Sequence, residues 1–117
     1  MVARQRLICA AAELVDGGTG VRFEAERLGR SEPAFAVRYC GRVYAYYNRC
    51  AHLPAELDWN AGEFFDYSGL YLVCATHGAL YDPTTGACRL GRCGGRGLEA
   101  LPVVERDGNV YLIQEGD

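Results

Sequence analysis

Both histidines of the 117-residue chain stand beside a cysteine. Cys50-Ala51-His52 reads C-x-H, and Cys74-Ala75-Thr76-His77 reads C-x-x-H. With only 2 histidines available, the double pairing is not expected by chance. Two thiolates and two imidazoles make a complete ligand set for one tetrahedral zinc ion. They also suit a two-iron, two-sulfide cluster in which two histidines replace two thiolates on one iron. Spacing helps to separate the two. Neighbouring ligands of one zinc usually have about two to four residues between them, and C-x-H leaves a single residue. Two irons relax that constraint, because the Cys and His of each pair can bind different metals. The 21 residues between the pairs let two loops face each other. A zinc-stabilised binding module stays open as the alternative, colourless where a cluster is red-brown.

The surrounding text resembles the Rieske [2Fe–2S] ferredoxin family. The matching residues are Cys50-Ala51-His52, then Cys74-Ala75-Thr76-His77-Gly78-Ala79-Leu80-Tyr81-Asp82, then Thr85-Gly86. They follow the family pattern C-x-H, C-x-x-H-G, an aromatic residue with Asp, and T-G. The resemblance extends more weakly over roughly Val43 to Ile113. It implies one [2Fe–2S] cluster per chain, with Cys50 and Cys74 on the buried iron and His52 and His77 on the outer iron near solvent. Gly78, Ala79 and Tyr81 would then line the cluster. Gly78 is expected where a Cβ would intrude on it, and Tyr81 is placed to donate to a cysteine sulfur. Asp82-Pro83 with Thr85-Gly86 is read as turn chemistry after the second loop.

Departures from the cytochrome bc-type branch are informative. That branch joins an extra cysteine from each ligand loop in a disulfide, whereas the nearby positions here hold Leu53, Pro54 and Ala75. Its serine just after H-G is replaced by Ala79. Each lost donor leaves negative charge on the cluster less stabilised. A reduction potential in the lower part of the Rieske range of about −150 to +300 mV is therefore expected.

Four cysteines lie outside this constellation. Cys9 and Cys40 sit in apolar runs and are expected as buried thiols. Cys88 and Cys93 flank Arg89-Leu90-Gly91-Arg92, close enough for a disulfide or a second metal. Arg89, Arg92 and Arg96 form a basic stretch, read as a solvated loop or as a docking surface for an acidic redox partner. Trp59, Phe64, Phe65, Tyr67 and Tyr71 crowd the approach to the second pair and are expected mostly as core beneath the cluster.

The elements that must position these residues read as strands. Leu7–Ala10, Val21–Ala25, Pro33–Tyr39, Val43–Tyr47, Leu70–Val73, Ala79–Tyr81 and Ala87–Leu90 are short apolar or alternating runs between turn signals. Leu101–Glu105, Asp107-Gly108-Asn109 and Val110–Ile113 make a closing hairpin, and Cys40-Gly41-Arg42 another hairpin turn. No stretch carries a helical period of ten or more residues, although a short helix near Pro54–Asp58 is compatible with the text. The fold class is all-β. Together with the resemblance this implies an antiparallel β-sandwich or barrel of Rieske type. It would form one domain over residues 1–117, with a loop-built cluster-binding subdomain over roughly 48–83.

Composition sets the outer bounds. Half of the residues are apolar and 23% are charged, which is globular chemistry. A net charge of −3 argues against nucleic acid or an anionic membrane as the main partner. The run from Leu7 to Ala12 stops at Glu13, short for a signal peptide and far short of a membrane span. A cytoplasmic protein with reduced thiols is expected, which favours metal binding over a disulfide scaffold. A mononuclear iron site for oxygen activation would need further histidines and a carboxylate, so catalysis by the chain alone is not expected. The resemblance implies a soluble electron carrier whose partners are a flavin reductase and an oxygenase or other reductase component. A part like the small subunit of a nitrite reductase, or a redox sensor, is the alternative.

Overall fold

The computed structural model describes residues 3–50, 56–58, 60–74, 78–91 and 96–115. Ten strands are assigned there, and apart from a 3-10 turn at Ala11–Glu13 no helix. They are β1 (Ala3–Ala10), β2 (Val21–Arg27), β3 (Arg30–Tyr39), β4 (Arg42–Tyr47), β5 (Leu72–Val73), β6 (Leu80–Tyr81), β7 (Cys88–Leu90), β8 (Ala100–Leu101), β9 (Val103–Arg106) and β10 (Asn109–Glu115). They form three antiparallel sheets, ordered β1-β10-β9, β2-β3-β4-β8 and β5-β6-β7. The all-β expectation therefore holds.

The β3–β4 hairpin is the wall shared by everything else. Ala34, Phe35, Ala36 and Val37 are each fully buried. Side chains alternate across a strand, so both faces of this run are covered, and it reads as continuous apolar sequence. The small residues Ala34, Ala36 and Ala45 face Cys9, Val110 and Leu112 of the β1-β10-β9 sheet. The large ones, Phe35, Val37 and Tyr46, face the small β5-β6-β7 sheet and the cysteine loops. Phe35 stacks on Phe64 with ring centroids 4.0 Å apart.

Three hairpins turn through a residue and a glycine that both have positive φ: Leu28-Gly29, Cys40-Gly41 and Asp107-Gly108. These are the torsions of a two-residue type I′ turn. The Cys40-Gly41 turn is clamped by Asp16, whose Oδ1 and Oδ2 accept the Cys40 and Gly41 N–H groups at 2.9 and 2.6 Å. Arg38 fastens the same corner. Its guanidinium pairs with both carboxylate oxygens of Glu105, at 3.0 and 2.7 Å, and donates to the carbonyls of Ala11, Leu14 and Gly41. That pairing holds the Glu105 carboxyl below the usual carboxylate range.

Several strand limits differ from the sequence reading. β1 begins at Ala3 rather than Leu7, because Arg4, Gln5 and Arg6 are exposed residues of an edge strand paired only with β10. β5 is two residues long, since Leu70 is exposed in the preceding turn. Residues 56–58 are not helical, and the rest of the expected helix at 54–58 lies outside the described residues. Cys40 is exposed at the hairpin tip rather than buried. The reason is positional: it occupies the turn that ends the apolar run, not the run itself.

Candidate metal centre

Cys50 follows β4 by three residues, and Cys74 comes directly after β5. Their relative exposures are 3% and 0%. Both belong to one apolar cluster with Phe35, Tyr46, Leu57, Phe64, Leu72, Ala79, Tyr81 and Leu98. The fold thus brings together two cysteines 24 positions apart in the chain (50 and 74). His52 and His77 lie outside the described residues, as do Leu53, Pro54, Trp59, Ala75, Arg92 and Cys93.

Each cysteine loop is closed at its neck by backbone or amide hydrogen bonds. At the second, Gly78 N–H donates to the Cys74 carbonyl at 2.7 Å, and Cys74 N–H to the Ala79 carbonyl at 2.9 Å. Gly78 closes this turn at φ +72°, a torsion that a side chain disfavours. Among the described residues, nothing beyond its chain neighbours lies within 4 Å of where its Cβ would sit, so the backbone torsion is the visible reason for the glycine. At the first loop, Asn48 spans the neck: its Oδ1 accepts Leu57 N–H at 2.8 Å and its Nδ2 donates to Asp58 Oδ1 at 2.9 Å. Sequence reading missed this pair; the available signal was a polar residue ending the otherwise apolar β4 run, two positions before C-x-H.

Tyr81 is fully buried, with its hydroxyl oxygen 3.4 Å from Cys50 Sγ. The neighbouring turn is rigid. Asp82 Oδ1 accepts from the Thr84 N–H and hydroxyl at 2.8 and 2.6 Å, which holds its carboxyl below the ordinary range. Tyr46 donates its hydroxyl to the Pro83 carbonyl at 2.7 Å, and burial pushes its phenol well above the usual range. Gly86 sits at φ +78°, and a Cβ there would meet Tyr46 Cε1 at 2.8 Å and the Leu98 carbonyl oxygen at 2.9 Å. The T-G pair is turn chemistry, as the sequence reading has it, with close packing added.

These residues fit a sulfur-ligated cluster. Two buried cysteines belong to one apolar cluster, and a buried hydroxyl lies at sulfur hydrogen-bond distance from one of them. The other described cysteines serve differently. Cys9 is buried, and desolvation with the nearby Glu13 charge pushes its thiol up to about 11, so it is a poor thiolate ligand near neutrality. Cys88 is disulfide-bonded.

The aromatic expectation holds only in part. Phe64 is buried, Phe65 and Tyr71 are partly exposed, and Tyr67 is fully exposed. Tyr67 stands in the turn between Asp66 and Gly69, where Asp66 accepts from Ser68 and points the chain outward. Arg89 and Arg96 are exposed; Arg89 lies on β7 near Asp82, whose charge it helps to stabilise.

Comparison with known proteins agrees with this geometry. The ferredoxin of Sphingomonas yanoikuyae B1 superposes with a TM-score of 0.76 at 25% identity, over 96% of this chain and 100% of that one. A chain from the complex of reduced oxygenase and oxidized ferredoxin in carbazole 1,9a-dioxygenase gives 0.72 at 27% identity, over 92% and 91%. The carbazole 1,9a-dioxygenase ferredoxin from Nocardioides aromaticivorans IC177 gives 0.69 at 24%, over 92% and 95%. No curated protein matches in sequence. Residues 5–109 match the sequence profile of the Rieske [2Fe-2S] domain. A profile match over most of the chain, on a fold shared with Rieske ferredoxins, makes this protein a member of the Rieske [2Fe-2S] domain family and a ferredoxin-type electron carrier.

Proposed function

We propose that Cys50, His52, Cys74 and His77 hold one [2Fe–2S] cluster, and that the chain shuttles single electrons from a reductase to an oxygenase-type acceptor. The observation that carries this reading is the convergence of Cys50 and Cys74 in one buried apolar cluster, with the Tyr81 hydroxyl at Cys50. A bound cluster supplies reversible storage of one electron. The protein's own part is to hold and to insulate. The Phe35, Tyr46, Phe64 and Leu72 side chains keep water from the cysteine sulfurs, and low local polarity together with few donors keeps the potential low. Tyr81 supplies a buried donor to Cys50. Arg89 and Leu90, both exposed on β7 next to the Leu80–Tyr81 strand, suit the rim of a contact with a mildly acidic partner.

Both histidines of the chain are spent on the cluster, and a mononuclear iron site for oxygen chemistry would need more. We therefore assign the chain to electron delivery and not to catalysis. We place it in the cytoplasm, where ligand thiols stay reduced; the disulfide at Cys88 departs from the reduced thiols expected of that compartment. No helix among the described residues is long and apolar enough to cross a membrane.

Purified anaerobic protein is expected to be red-brown, to contain two irons and two acid-labile sulfides, and to give a Rieske-type EPR signal when reduced. His52→Ala and Cys74→Ser variants should lose that signal. Reduced protein should re-oxidise when mixed with a cognate oxygenase component, and return to the reduced form with a flavin reductase and its nicotinamide donor. Colourless, EPR-silent protein carrying zinc would refute the cluster reading. A full cluster that no reductase reduces would refute the carrier role.

A further inference from the structure

Among the described residues, Asn48 and Asp58 are the buried polar ones, with Asp58's side chain wholly removed from solvent. Their hydrogen bonds are complementary and directional. Asn48 Oδ1 accepts from Leu57 N–H at 2.8 Å, and Asn48 Nδ2 donates to Asp58 Oδ1 at 2.9 Å. Asp58 Oδ2 accepts from Gly62 N–H at 3.0 Å and lies 3.6 Å from Arg22 Nε. Arg22 Nη2 also pairs with Glu56 at 2.6 Å. The pair therefore ties residue 48 to residues 57 and 58, and closes the segment that contains both Cys50 and His52. Leu57, between the two contacts, packs in the same apolar cluster as Cys50, Cys74 and Tyr81.

We propose that Asn48 and Asp58 form a clasp that positions the first ligand loop, with its amide end two residues before Cys50 in the chain and its charged end turned toward Arg22. This rests on Cys50 and His52 being ligands. A buried network repays its desolvation only when every member is satisfied, and here each side-chain oxygen and the amide nitrogen has a partner. The polarity carries a second consequence. The carboxylate stands at residue 58 against a guanidinium, and a neutral amide stands two residues from Cys50. A negative charge at position 48 would oppose adding an electron to the cluster.

The clasp can be reversed on paper. In Asn48→Asp alone, two carboxylate oxygens would face each other at the present 2.9 Å contact. In Asp58→Asn alone, an amide can satisfy either Asn48 Nδ2 or Gly62 N–H, but its own donor then faces the other donor. In the double variant, the new carboxylate at position 48 would accept from Leu57 N–H and from the new amide at position 58. The oxygen of that amide would accept from Gly62 N–H, so that the three hydrogen bonds are restored, the ion pair with Arg22 is given up, and the charge moves to position 48.

The experiment measures three things in the wild type, both single variants and the double variant: the rate of cluster loss to a chelator, hydrogen exchange at the Leu57 and Gly62 amides, and reduction potential. Each single variant is expected to lose its cluster about tenfold faster and to exchange those amides faster. The double variant should return both rates to within about threefold of wild type, yet hold a cluster about tenfold harder to reduce in its one-electron equilibrium, which is about 59 mV lower. Single variants that behave as wild type would overturn the clasp, as would a double variant no better than the singles. Restored retention with an unchanged potential would overturn the role of its polarity. Wild-type protein that never takes up iron would instead sink the ligand assignment on which the inference rests, and amide exchange would still report on the clasp.

Discussion

Tyr81→Phe tests the environment of the cysteine sulfurs with little else disturbed. The ring is fully buried, so phenylalanine fills the same space and only the hydroxyl, 3.4 Å from Cys50 Sγ, is removed. A hydrogen bond to a charged group is worth about 1.5–3 kcal/mol. Only the part of that energy that grows when the cluster gains an electron moves the potential. If about one third to one half does so, the differential is about 1 kcal/mol. One tenfold step, about 1.4 kcal/mol, corresponds to about 59 mV for one electron, so the variant should be harder to reduce by about 40 mV. Protein-film voltammetry or a spectroelectrochemical titration of fully loaded protein reads this directly. A variant with wild-type iron and sulfide content but an unchanged or higher potential would refute the idea that Tyr81 donates to a cluster-bound thiolate. The thermal midpoint should fall only slightly, because the apolar contacts remain.

Phe64→Ala removes a fully buried ring stacked on Phe35, and should cost about 3–5 kcal/mol in denaturant unfolding; a loss below about 1 kcal/mol would mean that the site collapses to fill the void. Gly86→Ala, which puts a Cβ 2.8 Å from Tyr46 Cε1 at a positive φ, should destabilise by about 2 kcal/mol or more, visible as a lower thermal midpoint. Arg38→Met strips donors from three carbonyls and from Glu105 and should cost about 2 kcal/mol. The Glu105 part, discounted because that carboxylate is partly exposed, is complete above the ordinary carboxylate range and lost as pH falls below it through the lowered value of the folded protein, so the gap between wild type and variant should narrow in acid while the carbonyl part remains. Cys9 has the opposite sign: its thiol is raised from 9.0 to about 11, so its contribution is complete below about pH 9 and lost as pH climbs to about 11. Stability measured over that window should fall by up to about 2 kcal/mol more in wild type than in Cys9→Ala.

The strands were largely legible because their residues repeat a physical constraint. Alternation in Val21–Ala25 and the unbroken apolar run Ala34–Val37 each announce how many faces are covered. Edge residues carry no such mark, which is why the sequence reading starts the first strand at Leu7 although Arg4–Arg6 form part of β1. The Leu28-Gly29 turn was also opaque, since leucine is a poor resident of positive φ and gives no turn signal. In the site, the cysteine and histidine spacing stood out because so few residue types bind metal. Asn48 and Asp58 did not, because a buried hydrogen-bonded pair ten positions apart leaves no periodic trace. Cys40 misled because composition around it is apolar while its own position is the bend.

The β3–β4 hairpin has no spare side. A breathing motion that peels away the β1-β10-β9 layer exposes Ala34 and Ala36, and the same two strands carry Phe35 and Tyr46 beneath the cysteine loops. Loosening at the far end is therefore felt by the redox end within one strand thickness. Heat should release the metal and melt the distant sheet in a single calorimetric event, and damage anywhere along that shared partition should shorten the lifetime of the cofactor.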